Sequence, residues 1–522
     1  MNQNNNNLPI NVPITVVSTI LVVILGAVVY LYPEGSTKAA DVIFHWILFN
    51  LDTLFLAFAL AALGFLTFLM VSKYGQLQLG NEKPEFSKLV IFNMLFCASF
   101  GASALFWSFT EVLYYFNDPP FGIAARSALA VEYGFAYNFF HWGPSAWTFY
   151  AICAMPIIYS FYFRGRKEFR LSAVCSTLYN DKWPVGLTRL IDAIFIFACF
   201  GVCGISLGLS VPLISECTAA ILGVPAGFGM SVTIVLVISA VFTLSSYVGL
   251  GKGMSKISNV NVGIYIAFLA FMFILANPVF VLEMVLTGMG LMVQEYVRMS
   301  TWTDAIDKGG FPQYWTVFYW AYWMTFGPMM GVFITRIFKG HKLKDAIWMN
   351  LVAGSAGCYV MHGIMQSYTM KQQLAGTVAA ADMVAAGQGN LMIVEILKTT
   401  PLPSLALLAF VIVAILFMAT TLDGTSFTLA SVASSKLKKD NPSPLFRLYW
   451  CILLAIMPLI LTLIKVELNT IKTIALIVAT PLGILLAVLN VKTYLLMRSD
   501  YQNLDRKEMA ALKCPEPAEE QG

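Results

Sequence analysis

Eight of the thirteen residues from Tyr314 to Phe326 are aromatic: Tyr314, Trp315, Phe318, Tyr319, Trp320, Tyr322, Trp323 and Phe326. The chain average is 14%. A second cluster comprises His141-Trp142, Trp147 and Tyr150, with Trp147 and Tyr150 as i,i+3 neighbours on one helix face. As a helix, the first run is about 20 Å long at 1.5 Å per residue, longer than an interfacial belt requires. Few acids accompany either cluster. Indole and phenol faces gathered inside a membrane suit a quaternary ammonium. Such a group has no N–H to donate, and ring faces meet its diffuse charge at about 0.5–2 kcal/mol each when desolvated. Three or four faces offset dehydration without a buried fixed negative charge, which is expensive in a bilayer. Each ring taken singly reads as packing or lipid contact; the constellation reads as a cation box.

The elements that must position these rings follow from composition. Of 522 residues, 58% are hydrophobic and 11% charged, against roughly 25% charged in an average soluble domain. Mean hydropathy is +0.75. The fold class is therefore an all-α polytopic membrane protein. About twelve apolar runs are long enough for a bilayer core, near 13–32, 51–72, 89–108, 140–163, 190–212, 229–248, 263–282, 313–337, 346–367, 404–432, 446–464 and 473–496. The first lacks a positive n-region and a small-residue cleavage site, so it reads as a true span. A net charge of +4 without a dense basic tract excludes nucleic acid as a partner.

Other chemistries find little support. The nine cysteines include no CxxC pair and read as small buried hydrophobes. His45, His141, His341 and His362 are far apart in sequence, and no HExxH, GxSxG or Walker pattern occurs. The reading is not an enzyme and needs no cofactor. Glu111, Asp192, Glu216 and Asp423 lie within or beside spans and are functional candidates because ionisable groups are costly there.

Lys and Arg set the orientation. The loops after spans two, four, six, eight and ten carry twice as many as the alternate loops, which hold Lys465 and Lys472 among others. Both termini are then cytoplasmic. Residues 283–298 alternate apolar and polar types and read as an interfacial segment. Residues 1–12 read as a disordered N-terminus, 13–498 as the transmembrane domain and 499–522 as a short, mixed-charge tail.

Two segments at matching positions suggest broken helices: Ser99-Phe100-Gly101-Ala102-Ser103 in span three and Gly327-Pro328-Met329-Met330-Gly331 in span eight. They are five spans apart, which predicts two five-helix repeats, 89–285 and 313–496, with spans one and two peripheral.

The segment GGFPQYWTVFYWAYW (309–323) is similar to the tryptophan-rich signature of the betaine/choline/carnitine transporters. FHWGPSAW (140–147), GLGKGMSKISN (249–259) and the SKYG starting at Ser72 resemble it too, and the likeness covers about residues 10–500. It implies a LeuT-like five-plus-five inverted repeat with two additional N-terminal helices, a homotrimer in a bacterial cytoplasmic membrane, and carriage of quaternary ammonium compounds. Carried across by position, Trp142, Trp147, Tyr150, Trp323 and Phe326 fall on the substrate box, with Tyr319 from the same signature beside them. Phe326 stands where the family usually has Trp or Tyr. Met330 and Tyr114 match positions used by the carnitine/γ-butyrobetaine exchangers. Thr420 and Thr421 match the hydroxyl pair of sodium-coupled members, whose further ligands are backbone carbonyls, here near Cys97 and Phe100. Sodium-independent exchangers place an arginine in span seven, where this chain has Asn261. The resemblance therefore implies a sodium-coupled carrier, with sodium-blind exchange as the alternative.

Overall fold

The computed structural model describes residues 12–166, 170–179, 184–248, 255–434, 442–463, 468–512 and 514, and among them it is helical with no strand beyond isolated bridges such as Gln78 to Lys342. A helix satisfies its own backbone polar groups, the condition a lipid environment imposes. The first three helices are α1 (Val12–Leu31), α2 (Pro33–Asn50) and α3 (Asp52–Val71). Then come α4 (Lys88–Ala98), α5 (Ala102–Asn117), α6 (Ala128–Trp142), α7 (Pro144–Ile158), α8 (Leu171–Leu178), α9 (Val185–Leu222), α10 (Phe228–Val248) and α11 (Ser255–Ala276). After α12 (Pro278–Thr301) follow α13 (Phe318–Ile337), entered through a π-helical turn at Pro312–Val317, and α14 (Leu343–Leu374). The short α15 (Ala380–Ala385) and α16 (Gly389–Lys398) lead to α17 (Pro403–Val432), α18 (Pro444–Leu463), α19 (Leu468–Tyr501) and α20 (Arg506–Ala511).

Every expected apolar run has a helix over it. Among the described residues, seven helices are long and apolar enough to cross a membrane, or up to nine if each bent pair is one span. Two features were not anticipated. Helix α2 turns 112° away from the first helix, with Pro33 at its start and Glu34 in its first turn. The chain past residue 499 is also structured as far as described. Helix α19 runs to Tyr501, and α20 carries a capping box between Asp505 and Glu508. Cys514 then binds Gly80, Gln78 and Asn81. Residues 1–11 and 515–522, with the 249–254 part of the GLGKGMSKISN string, lie outside the described residues.

Packing between the two sets of five is reciprocal. The first element of one set, α4 with α5, packs on α14, the second element of the other; α13 packs in turn on α7. The third elements, α9 and α17, meet each other, and α10 against α17 is mirrored by α18 against α9. Exchanging the two sets maps these pairs onto themselves.

The two segments expected to break differ. Residues 99–101 leave the helix, and α4 and α5 meet at 63°. Gly101 is extended (φ −117°, ψ 155°), with nothing near the place a Cβ would occupy. Span eight is not broken: α13 is continuous, with Pro328 inside it. Its glycines serve close approach instead. A Cβ on Gly327 would collide with Cys153 Sγ, and one on Gly331 would lie 3.1 Å from the Cys153 carbonyl carbon and 3.2 Å from Ala154 N. This is a small-residue seam between α13 and α7. The expected interfacial stretch lies within α12, which packs on α6 with Gly288 against Phe135 Cβ and the Phe139 ring.

Candidate functional site

The joint between α6 and α7 brings the second aromatic cluster into the core. Trp142 ends α6, Gly143 caps it in extended backbone, and Pro144 starts α7 at a position that needs no N–H. A Cβ on Gly143 would collide with the Tyr359 hydroxyl and the Phe139 carbonyl oxygen, so the joint closes only on glycine. Trp142 and Trp147 thus project from two helices meeting at an angle. Trp147 is seated in turn by α14: a Cβ on Gly354 would strike its indole, and Asn350 Nδ2 donates to the Trp147 carbonyl at 2.8 Å.

Trp323 on α13 is the shared member. Its ring centroid lies 5.4 Å from Trp142, 5.8 Å from Trp147 and 5.0 Å from Tyr150, and Trp147 and Tyr150 are 5.2 Å apart. Trp323 Nε1 donates to the His141 carbonyl at 2.9 Å, which fixes the plane of its ring. All four side chains are buried. The pairs meet edge to face or tilted, the arrangement aromatic quadrupoles prefer. In this conformation the rings pack directly on one another.

A carboxylate stands behind this box, contrary to the acid-poor expectation. Glu111 on α5 accepts from Tyr115 OH (2.7 Å), Trp142 Nε1 (2.7 Å) and Tyr319 OH (2.6 Å). His141 Nδ1 bonds Tyr115 OH at 2.8 Å, and its Nε2 bonds Thr316 at 3.0 Å. Three donors on one buried carboxylate, with His141 Nδ1 3.6 Å from it, form a dense network of the kind in which a buried charge rigidifies its surroundings. Glu111 orients Trp142 and Tyr319 through their Nε1–H and hydroxyl donors. Its signal in the sequence was only that an acid lay in an apolar span; one partner, Tyr115, is four residues away, but the other two are 31 and 208 residues away.

The remaining candidates separate. Tyr319 joins the box edge, 5.7 Å from Trp142 and stacked 4.7 Å from His141. Phe326 is half-buried and packs on Tyr322 at 5.1 Å, its one ring neighbour among the described residues. Met330 lies one turn further along α13, half-buried, on the face shared with Trp323 and Phe326. Tyr114 lies away from the four rings, 5.1 Å from Trp315 and 6.3 Å from Trp107.

That outer group holds a residue that sequence reasoning put in a loop. Lys472 lies inside α19, 5% exposed, with its ammonium 4.2 Å from the Trp315 ring, 4.6 Å from Phe318 and 5.7 Å from Trp107.

Thr420 and Thr421 both donate to the Phe417 carbonyl at 2.9 Å, the back-bonding common for hydroxyls in helices. A donating hydroxyl keeps its oxygen lone pairs, so the pair remains an oxygen donor set. Phe417 lies 6.5 Å from Phe100, and both contact Tyr265, which brings α17 beside the break that follows Cys97. The Cys97 carbonyl accepts from Phe100 N at 3.1 Å in that turn. Asp423 is bound to Arg447 at 2.6 Å in a buried ion pair, a tie between α17 and α18.

The sequence matches the family model described as BCCT, betaine/carnitine/choline family transporter, over residues 13–502. It is 32% identical to the uncharacterized transporter YeaV of Escherichia coli K12 over 431 residues, 82% of this chain and 89% of that one. It is 31% identical to the carnitine transporter of Acinetobacter baumannii over 486 residues, 93% of this chain and 88% of the relative.

Proposed function

We propose, from the premise that the chain belongs to the betaine/carnitine/choline transporter family, that it is a secondary carrier of quaternary ammonium compounds driven by sodium. The substrates are carnitine, γ-butyrobetaine, glycine betaine or choline. The membrane is the cytoplasmic membrane of a bacterium, with both termini inside and three copies per assembly. One observation carries this reading: Trp142, Trp147, Tyr150 and Trp323, drawn from the three helices α6, α7 and α13, meet with centroid separations of 5.0–5.8 Å. Such a set offers ring faces to a methylated ammonium and no competing N–H acceptor. Tyr319 borders the box beside Trp142, and the resemblance assigns Met330, Phe326 and Tyr114 to the same substrate.

Coupling to sodium is supported by the type and position of the donors. A small hard cation takes hydroxyl and carbonyl oxygens. Thr420, Thr421 and the backbone at Cys97 and Phe100 supply them where α17 passes the α4–α5 break. The neutral, buried Asn261 leaves no arginine to stand in for the ion. Sodium bound there ties α17 to the broken helix. Because α5 carries Glu111, the same tie steadies Trp142 and Tyr319.

Uptake of labelled carnitine and glycine betaine into proteoliposomes tests this reading. It is run with and without an inward sodium gradient, and with and without γ-butyrobetaine inside. Sodium-driven accumulation in empty vesicles is the expected result. Uptake indifferent to sodium and dependent on the preload assigns exchange instead.

A further inference from the structure

Helix α14 packs on α4 and α5, which flank the bent segment, and on α6 and α7, which carry three of the four box rings. Its residues Asn350, Gly354, Cys358 and His362 recur every fourth position and so share one face. All four are buried, and each meets the box. Asn350 Nδ2 donates to the Trp147 carbonyl, and Gly354 leaves room for the Trp147 indole. The Cys358 thiol interacts with Trp147. His362 holds its ring centroid 4.4 Å from that of Trp142. Asn138, one turn before Trp142 on α6, donates to His362 Nδ1 at 2.9 Å.

The same helix also seats the turn that ends α4. There Ser99 N and Oγ both donate to the Phe96 carbonyl, at 3.3 and 2.6 Å, and Phe100 N donates to the Cys97 carbonyl at 3.1 Å. A Cβ on Gly357 would collide with Ser99 Oγ and with the Phe96 carbonyl oxygen, so this turn fits against α14 only at a glycine. The next residue, Cys358, interacts with Ser99 as well as with Trp147. One buried side chain therefore touches both the turn that offers Cys97 and Phe100 to an ion and a ring of the box. A close-packed interior leaves no slack for such a contact. When the turn moves, Ser99 displaces Cys358, and Cys358 bears on Trp147.

We infer that Cys358, seated beside Gly357 on α14, is the positioning residue that couples sodium at the bent segment to the shape of the ring box. This rests on the proposed sodium site and on the four rings as the headgroup site. The two ligands need not touch: the contacts run in series from the turn through Ser99 and Cys358 to Trp147. Linkage then requires each ligand to raise the affinity for the other by the same factor.

The test is equilibrium binding of carnitine to the purified full-length protein in detergent, in sodium and with potassium in its place. Wild type is compared with Cys358→Ala, Cys358→Ser and Val360→Ala, the last on the exposed side of α14. In wild type, sodium is expected to tighten carnitine binding at least about fivefold, and carnitine to tighten sodium binding by the same factor. Cys358→Ala is expected to cut that factor at least about threefold, with affinity in potassium kept within about twofold. Cys358→Ser keeps a small side chain with a polar hydrogen and should restore the factor, while Val360→Ala should leave it unchanged. A wild-type factor in Cys358→Ala, or an equal loss of affinity in both salts, overturns the inference and leaves the sodium-driven carrier reading intact. Wild-type binding indifferent to the salt defeats the sodium reading and this inference with it.

Discussion

The segments Ser99-Phe100-Gly101-Ala102-Ser103 and Gly327-Pro328-Met329-Met330-Gly331 open the two five-helix sets with similar small-residue sequences, yet only the first leaves the helix. Their neighbours account for the difference. Gly101 faces open space, so nothing holds its backbone in helical register, and the chain bends 63°. Gly327 and Gly331 are pressed on α7 at Cys153, so the α13 backbone is held straight through Pro328. A proline costs a helix about 3 kcal/mol, but close van der Waals packing along two glycines offsets it. The bent segment is the one on which the sodium proposal rests. The straight one continues the helix that carries Trp323.

Substitutions can break or sharpen this contrast, and the largest effect is expected at the bent segment's partner. Changing Thr420 and Thr421 together to Val keeps the β-branched shape and removes both hydroxyls. Sodium stimulation of carnitine uptake should fall at least about tenfold, while sodium-free binding stays within about threefold. If stimulation persists, the threonines only stabilise α17. At the straight segment, Gly327→Ala should destabilise the protein by about 1–3 kcal/mol through overpacking. The readout is a lower midpoint of thermal unfolding in detergent. An unchanged midpoint removes the seam from the account.

Trp323→Ala strips the shared face from the box. It should weaken carnitine, glycine betaine and choline alike by about five- to thirtyfold, equivalent to ~1–2 kcal/mol. Calorimetric titration decides this, and affinity kept within about threefold for all three defeats the box. The smallest effect belongs to Gly101→Ala. The residue has an ordinary φ and free space around it, so stability should shift by less than about 0.5 kcal/mol. A large drop there means that the break, not only the seam, is tightly packed in another conformation of the carrier.

The same contrast explains which parts of the site were legible beforehand. The aromatic run at 314–326 and the cluster at 142–150 were visible because ring content is a property of composition and helical period. That Trp323 meets Trp142, Trp147 and Tyr150 while Tyr114 and Phe326 stand apart is a matter of how α7 and α13 cross. Glu111 was flagged only by the cost of an acid in an apolar span, and of its three donors Tyr115 lies one turn along its own helix while Trp142 and Tyr319 come from two other helices. Lys472 was counted as a loop cation because the apolar run starts one residue later, at 473. Helix α19 in fact begins at Leu468 and carries the lysine inward. Thr420 and Thr421 were legible as hydroxyls, but not as a pair sharing one carbonyl.

The sequence by itself determined that this chain is helical, lies in a membrane, and carries more ring faces at one depth than packing requires. Those are sums over residue types and depend on no contact. Tertiary structure alone decided that one glycine segment bends and its counterpart does not. It also decided that a carboxylate holds the rings in place and that a lysine lies among the outer ones. Each of these depends on which helix lies within a few ångströms of another, and local sequence carries no record of that distance.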